Sequence, residues 1–157
     1  MLRWERPATE GPVPEARGGH TACLVGTDLI IFGGHYYGGD GKFVYLSDTC
    51  VLDMTTNMWH KVRTGGDEPA GRYGHSGTAL DGRIFVFGGR GANGALYKDM
   101  HCLDAETWCW SQVSSTTAGP SARFGHAQCL VGDKLVVFGG WDGRQAFNDL
   151  WVFDTGT

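Results

Sequence analysis

Histidine and aspartate, residue types that hold metal ions and transfer protons, recur in this chain at matching places. Three histidines each follow an Arg-x-Gly motif, and two sets of aspartates lie farther along in the same register. They are His20, His75 and His126; Asp48, Asp99 and Asp149; and Asp53, Asp104 and Asp154. A metal or acid–base site is assembled once, whereas a residue needed in every unit has a purpose that every unit shares, such as hydrogen bonding a turn. We therefore predict structural roles for them, and we assign no catalytic residue, no metal site and no cofactor.

A glycine motif of the kind that binds dinucleotides follows one apolar segment. Gly89, Gly91 and Gly94 satisfy the spacing G-x-G-x-x-G. That motif binds pyrophosphate where a helix comes next, because the N–H groups at the start of the helix hold the phosphates. The residues that follow, "ALYKDMHCLD", predict another strand. We therefore predict no nucleotide site and expect the paired glycines to permit close approach of neighbouring backbones.

The elements that must position these residues come in three similar units. The first segment of each unit contains Arg-x-Gly-His and ends in Phe-Gly-Gly, and a second segment ends in an aspartate. The first segments are "RGGHTACLVGTDLIIFGG", "RYGHSGTALDGRIFVFGG" and "RFGHAQCLVGDKLVVFGG"; the second are "LSDTCVLD", "YKDMHCLD" and "FNDLWVFD". Differences in length fall between the two segments, which marks that connection as a surface loop on a constant scaffold.

Local patterns within each unit indicate β-structure. A short apolar run, a tight turn and a run of β-branched and aromatic residues predict a hairpin. A third strand follows, and then a fourth strand that begins at a tryptophan, Trp59 or Trp110. Four short strands per repeat of about 50 residues, without helical periodicity, predict an all-β propeller blade.

The paired glycines, the Arg-x-Gly-His motif and the tryptophan of the fourth strand resemble kelch repeats, over nearly the whole chain. The resemblance implies an all-β, kelch-type β-propeller with three four-stranded antiparallel blades, either half of a six-bladed ring or part of a longer propeller. We treat residues 1–157 as one domain. Its predicted parts are an outer strand and link (1–14), blade 1 (15–66), blade 2 (67–117) and blade 3 (118–157), which lacks its outer strand.

Two groups of residues are candidates for binding a partner. In kelch proteins that bind acidic peptides, an arginine in a Pro-x-x-Arg-x-Gly context contributes to the binding face, and guanidinium groups suit carboxylates. The alternative is that these arginines hold neighbouring blades together. They are Arg17, Arg72 and Arg123. The loops between strands two and three contain residue types common in interface hot spots, although loop packing could also explain them. The candidates there are Tyr36, Tyr37, Arg90, Tyr97, Trp141 and Arg144.

Charge and composition restrict the partners. The net charge is −4 and the basic residues form no block, which argues against nucleic acid. No apolar run approaches the roughly 20 residues that span a bilayer, so we expect no membrane partner. Five cysteines without a C-x-x-C motif predict reduced core thiols. We expect a cytoplasmic protein, with the nucleus as the alternative compartment.

The first residues repeat the spacing of a fourth strand, because Trp4 precedes Pro14 and Arg17 as Trp59 precedes Pro69 and Arg72. We predict that the first strand of one chain completes the third blade of another, so that two chains close a six-bladed ring as a homodimer. The candidate self-association residues are Leu2, Trp4, Trp151 and Phe153. The alternative is that further repeats of a longer protein supply the missing blades.

These observations predict a non-catalytic module that binds a protein or peptide, acidic segments being among the ligands it would suit, and that closes by self-association. Two alternatives remain open. One is a purely structural, self-assembling propeller fragment. The other is a metal-dependent enzyme of the galactose-oxidase-like or specifier-protein type.

Overall fold

A computed structural model describes residues 1–156, and its strands form mainly antiparallel sheets. The predicted fold class, all-β with kelch-type propeller blades, is confirmed. The other regular element among the described residues is a 3₁₀ turn, Ala92–Gly94. No helix among the described residues is long and apolar enough to cross a membrane.

Blade 1 is a four-stranded sheet with the order β1-β2-β5-β6. Its strands are β1 (Thr21–Val25), β2 (Asp28–Phe32), β5 (Thr49–Asp53) and β6 (Met58–Val62). The connection between β2 and β5 forms a separate hairpin of β3 (His35–Gly39) and β4 (Lys42–Tyr45), which the sequence patterns did not predict.

Blade 2 repeats this order with β8 (Ser76–Leu80), β9 (Arg83–Phe87), β10 (Met100–Asp104) and β11 (Cys109–Val113). A short strand from the preceding link, β7 (Gly65–Gly66), pairs in parallel with β11. The first link makes a similar parallel bridge, from Glu10 to Met58 of blade 1.

Blade 3 has three strands within the described residues: β12 (Ala127–Val131), β13 (Lys134–Phe138) and β14 (Leu150–Asp154). Residues 1–9, where an outer strand was predicted, form no strand, and the side chains of Leu2 and Trp4 are fully exposed. Thr157, the last residue of the predicted blade 3, lies outside the described residues.

The core lies between the blades. Alternate residues of a strand face opposite sides of its sheet, so each blade packs one side against each neighbour. One core cluster joins blades 1 and 2, and a smaller one joins blades 2 and 3. The first contains Cys23, Ile30, Phe32, Val51, Ile84, Val86, Leu103 and Trp110; the second contains Phe85, Cys102 and Leu135. All five cysteines are free, but Cys109 and Cys129 are exposed, so the predicted core position is wrong for these two.

The paired glycines lie where backbones of neighbouring blades meet. Gly33 has φ +68°, and a Cβ atom placed on it would lie 2.8 Å from His75 Cε1 and 2.9 Å from the Arg72 carbonyl oxygen. A side chain there would collide with blade 2 in a backbone conformation that already favours glycine. Glycine at position 33 therefore allows the backbones of blades 1 and 2 to approach closely, as predicted from the glycine pairs.

Candidate interaction surface

Each loop between the second and third strands of a blade is closed at its base by a buried arginine. In blade 1, Arg17 Nη1 donates to Asp48 Oδ1 at 2.6 Å and to the Gly33 carbonyl oxygen at 3.0 Å. Gly33 follows the second strand and Asp48 precedes the third, so one guanidinium group joins both ends of the loop. Blades 2 and 3 repeat the arrangement with Arg72, Asp99 and Gly88, and with Arg123, Asp149 and Gly139. We call these three arrangements the arginine clamps.

In each clamp the guanidinium group is buried, whereas the carboxylate is partly exposed, Asp48 and Asp99 by 23% and Asp149 by 38%. Burial alone would raise the pKa of Asp99, but hydrogen bonds from His101 and Arg72 outweigh it and hold that pKa far below its usual range. The hydrogen bond from Arg123 lowers the pKa of Asp149 to about 2. Both carboxylates are therefore ionised at neutral pH. A paired arginine and aspartate with bidentate hydrogen bonds is a strong link between two chain segments.

The predicted role of the three arginines in partner binding is wrong. The side chains of Arg72 and Arg123 are 1% exposed, and Arg17 is nearly as buried. Their donors are occupied by an aspartate and by backbone carbonyl groups, so none faces a partner. Arg72 contacts the preceding blade through its backbone instead, since Arg72 N donates to the Leu46 carbonyl and Gly34 N donates to the Arg72 carbonyl.

Two of the recurring histidines also have structural positions, as predicted. His75 packs edge-on against Phe32 of the preceding blade, and its Nε2 lies 3.2 Å from Thr21 Oγ1. His126 repeats this contact with Phe87 and Ser76. Burial, with a smaller effect of Arg72, lowers the pKa of His75 to about 3, and burial with Arg123 lowers that of His126 to about 4. The rings therefore pack between blades as neutral groups.

Two aspartates of the second set hold turns, as predicted. Asp53 Oδ1 accepts hydrogen bonds from the backbone N–H groups of Thr55 and Thr56, and Asp104 Oδ1 accepts them from Glu106 and Thr107. The third, Asp154, accepts from Gly156 N and pairs with Lys134. No group of three or more His, Cys, Asp or Glu residues within residues 1–156 is arranged to hold a metal ion.

An aromatic row that begins in the β3–β4 hairpin, beyond the clamp of blade 1, crosses the three blades. It runs from Tyr37 to Phe43 (ring centroids 5.6 Å apart), on to His35 (5.3 Å), Tyr73 (4.1 Å) and Phe124 (5.9 Å). Tyr37 is 60% exposed and Phe43 is 51% exposed, so the hairpin end of the row faces solvent. Tyr36, predicted beside Tyr37, is half-buried.

Tyr73 and Phe124 were missed because they lie outside the loops. Each occupies the second position of Arg-x-Gly-His, where blade 1 has Gly18. Each pairs by backbone hydrogen bonds with the residue that follows the paired glycines in its own blade, Tyr73 with Arg90 and Phe124 with Trp141. The one signal in the sequence was that this position is aromatic in two units and glycine in the other.

The predicted loop residues of blades 2 and 3 divide into packed and open ones. Tyr97 is half-buried under the Arg72 guanidinium, whose Cζ lies 4.1 Å from the ring centroid, so it supports the clamp. Arg90 is half-buried, with its guanidinium 5.6 Å from the Phe124 ring. Trp141 is 41% exposed and Arg144 is exposed, so both are open to a partner.

The predicted self-association residues of blade 3 lie beside an open groove. The groove has a volume of about 660 Å³ and runs between β14 and the link formed by residues 114–121. Trp151 and Phe153 line it and are half-buried; Trp151 Nε1 donates to Asp149 Oδ2 at 2.7 Å, and Phe153 packs on the core between blades 2 and 3. The β14 edge facing away from β13 is unpaired within the described residues.

Comparison with known proteins gives one family match. Residues 36–157 match the family described as the KLHDC2/KLHL20/DRC7 Kelch-repeats domain. This range contains the clamps of blades 2 and 3, the β3–β4 hairpin except His35, and most of the aromatic row.

Curated relatives from animals, plants and fungi match the chain along most of its length. It is 33% identical to human Kelch domain-containing protein 3 over 162 residues, which cover 97% of this chain and 42% of that protein. It is 30% identical to Acyl-CoA-binding domain-containing protein 4 of Arabidopsis thaliana, with 99% and 23% covered. It is 35% identical to Tip elongation aberrant protein 1 of Schizosaccharomyces pombe, with 91% and 13% covered. The chain thus spans less than half the length of each of these relatives.

Proposed function

The chain belongs to the kelch-repeat family, and we propose that it is a non-catalytic module that binds another protein or a peptide through the loops beyond the arginine clamps. The observation that carries this proposal is the exposure of large aromatic side chains at the loops. Tyr37, Phe43 and Trp141 are each more than 40% exposed. Tyrosine and tryptophan are enriched in interface hot spots, where they bury a large area at a low cost in side-chain entropy.

The rigid base of the loops supports the same proposal. Each clamp fixes both ends of its loop, so the exposed rings of blades 1 and 3 are held on ordered backbone. Binding then costs less conformational entropy than it would with mobile loops. The row from Phe43 through His35 to Tyr73 further restrains the hairpin by ring contacts.

Exposed cations at this surface support a partner segment with carboxylates, although each has an aspartate in its own loop, Asp40 with Lys42 and Asp142 with Arg144. Arg144 is exposed near Trp141, and Lys42 is exposed on the β3–β4 hairpin beside Phe43. A partner segment that combines apolar and acidic side chains would place the first on the rings and the second on these cations. We propose that the module meets such partners in the cytoplasm or the nucleus.

A comparison of captured proteins tests the binding surface. Wild-type chain, a variant with Tyr37→Ala, Phe43→Ala and Trp141→Ala, and a Met54→Ala control are each immobilised and exposed to the same lysate. We expect proteins captured by wild type and by the control to be lost from the triple variant, while its circular dichroism spectrum stays unchanged. Equal capture by all three chains would refute the loop assignment. Metal analysis of the purified chain, with stoichiometric metal as the contrary result, tests the non-catalytic part.

We also propose that the chain closes its propeller by self-association. Leu2 and Trp4 of one copy would pair along β14 of another, in the groove lined by Trp151 and Phe153. Exposure of both N-terminal side chains and the open edge of β14 support this arrangement, since an unpaired strand edge is a template for another strand.

Light scattering on the purified chain tests closure. We expect twice the 17.0 kDa mass of one chain, and aggregation after deletion of residues 1–8. A stable, monodisperse monomer would contradict it.

A further inference from the structure

The two joins between blades use one recurring contact. A phenylalanine at the end of the second strand packs edge-on against the histidine of the next blade: Phe32 on His75, with centroids 5.3 Å apart, and Phe87 on His126, 5.1 Å apart. The interplanar angles are 67° and 66°. The two joins are therefore built alike.

The outer side of blade 3 carries an unmatched half of this contact. Phe138 occupies the position of Phe32 and Phe87, which are 2% and 3% exposed, yet it is 51% exposed. Leu150 and Val152 are exposed on the same side of the sheet, since they are aligned with Phe138 and Val136 of the adjacent strand. An apolar sheet side of this kind marks an interaction site.

The outer side of blade 1 carries the other half. His20 is exposed and occupies the position of His75 and His126. Leu24 is also exposed, on the side of the sheet that faces away from blade 2. Its counterpart in blade 2, Ala79, packs into the join between blades 1 and 2.

We propose that the outer side of blade 3 receives the outer side of blade 1 of a second copy of this chain, with His20 of the second copy edge-on against Phe138. The inference rests on the self-association proposed above and gives it a residue-level interface, separate from the exchange of the N-terminal strand. It commits to a head-to-tail join, because the two sides are complementary halves of one contact and neither is a match for itself.

One position makes this join differ from the internal ones. The internal histidines contact a hydroxyl group of the preceding blade, His75 that of Thr21 at 3.2 Å and His126 that of Ser76 at 2.7 Å. The corresponding residue of blade 3 is Ala127. His20 of the second copy therefore lacks this hydrogen bond, and the join between copies is weaker than the joins within one.

Complementary variants test the head-to-tail join by sedimentation equilibrium. Phe138→Glu and Leu24→Glu each place a charge on one side of the join, at a position exposed in a single chain, so the fold of each variant should survive. We expect each variant alone to be monomeric, with dissociation constants raised at least a hundredfold. A mixture of the two retains one intact join, so we expect it to form a 1:1 complex. Met54→Glu, exposed at a turn, serves as the control and should associate like wild type.

Ala127→Ser tests the same join by strengthening it. Tighter association of two copies could not result from damage to the fold. An added hydrogen bond should tighten association about fivefold. Wild-type chain that stays monomeric at 100 μM would overturn both the self-association and this interface. Dimers that persist in Phe138→Glu and Leu24→Glu but are lost on deletion of residues 1–8 would overturn the interface and leave strand exchange standing. Failure of the mixture to associate would overturn the head-to-tail order.

Discussion

The arginine clamps and the loops above them differ in almost every respect, although each loop is joined to its clamp. The three clamps have nearly the same geometry, with Nη1–Oδ1 distances of 2.6, 2.7 and 2.5 Å. The loops differ in length and fold: one is a two-stranded hairpin and another contains a 3₁₀ turn. Residues that recur in every unit hold the scaffold, and residues that do not recur form the exposed surface.

The separation of the paired residues along the chain explains how the same clamp can close loops of different length. Arginine and aspartate lie 31 residues apart in blade 1, 27 in blade 2 and 26 in blade 3. The clamp joins the two ends of the loop whatever length of chain lies between them. The loop can therefore change without moving the strands, as expected for binding loops on a rigid scaffold.

Breaking a clamp should have the largest effect. Arg72→Ala leaves the partly buried Asp99 carboxylate without its guanidinium partner, and removing one member of a buried pair costs about 3–5 kcal/mol. We expect the free energy of unfolding, measured in urea, to fall by about that amount. Arg144→Ala removes an exposed arginine and is the matched control, with a change within about 0.5 kcal/mol. Equal effects of the two variants would show that the clamps do not stabilise the fold.

The second-largest effect should come from acid, which should weaken the joins between blades. His75 and His126 have folded-state pKa values of about 3 and about 4, below the value near 6.5 of an unfolded chain. The unfolded state therefore binds more protons below pH 6.5, so their contribution is complete above that pH and is lost as the pH falls toward 4. Each histidine should lower the free energy of unfolding by about 1 kcal/mol for each unit by which the pH falls in this range.

Urea unfolding at pH 7, 6 and 5 measures this loss. His126→Asn should remove about half of the slope, because one of the two rings whose pKa is lowered to about 3 or 4 is gone, whereas His60→Asn, at an exposed position, should leave it unchanged. Stability that is constant from pH 7 to 5 would contradict the burial of neutral rings.

Changes at the loop tips should have the smallest effect on stability. Trp141→Ala and Tyr37→Ala remove exposed rings, so we expect each to lower the free energy of unfolding by less than about 1 kcal/mol. Thermal unfolding followed by circular dichroism measures this loss of stability. A loss above 2 kcal/mol would mean that these rings pack the scaffold, as the alternative interpretation of the loops holds.

Sequence patterns were enough to predict the all-β fold, the three repeating units and the structural role of two of the three recurring histidines, His75 and His126. These follow from patterns with short periods, because alternation along a strand and turn residues act within a few residues. The position of the variable loops could also be predicted, since length differences are confined to one connection per unit.

The direction of the arginines and the contacts between rings depend on how the blades pack, which the sequence patterns do not show. An arginine before a strand can face solvent or turn inward, and the choice depends on an aspartate more than 25 residues away. The aromatic row joins three blades, and its members Tyr73 and Phe124 meet across a blade boundary. Contacts of this range depend on how the sheets pack, and short-range patterns carry no record of that packing. The same limit applies to the exposed Phe138, whose pattern is that of the buried Phe32 and whose exposure depends on what lies beside blade 3.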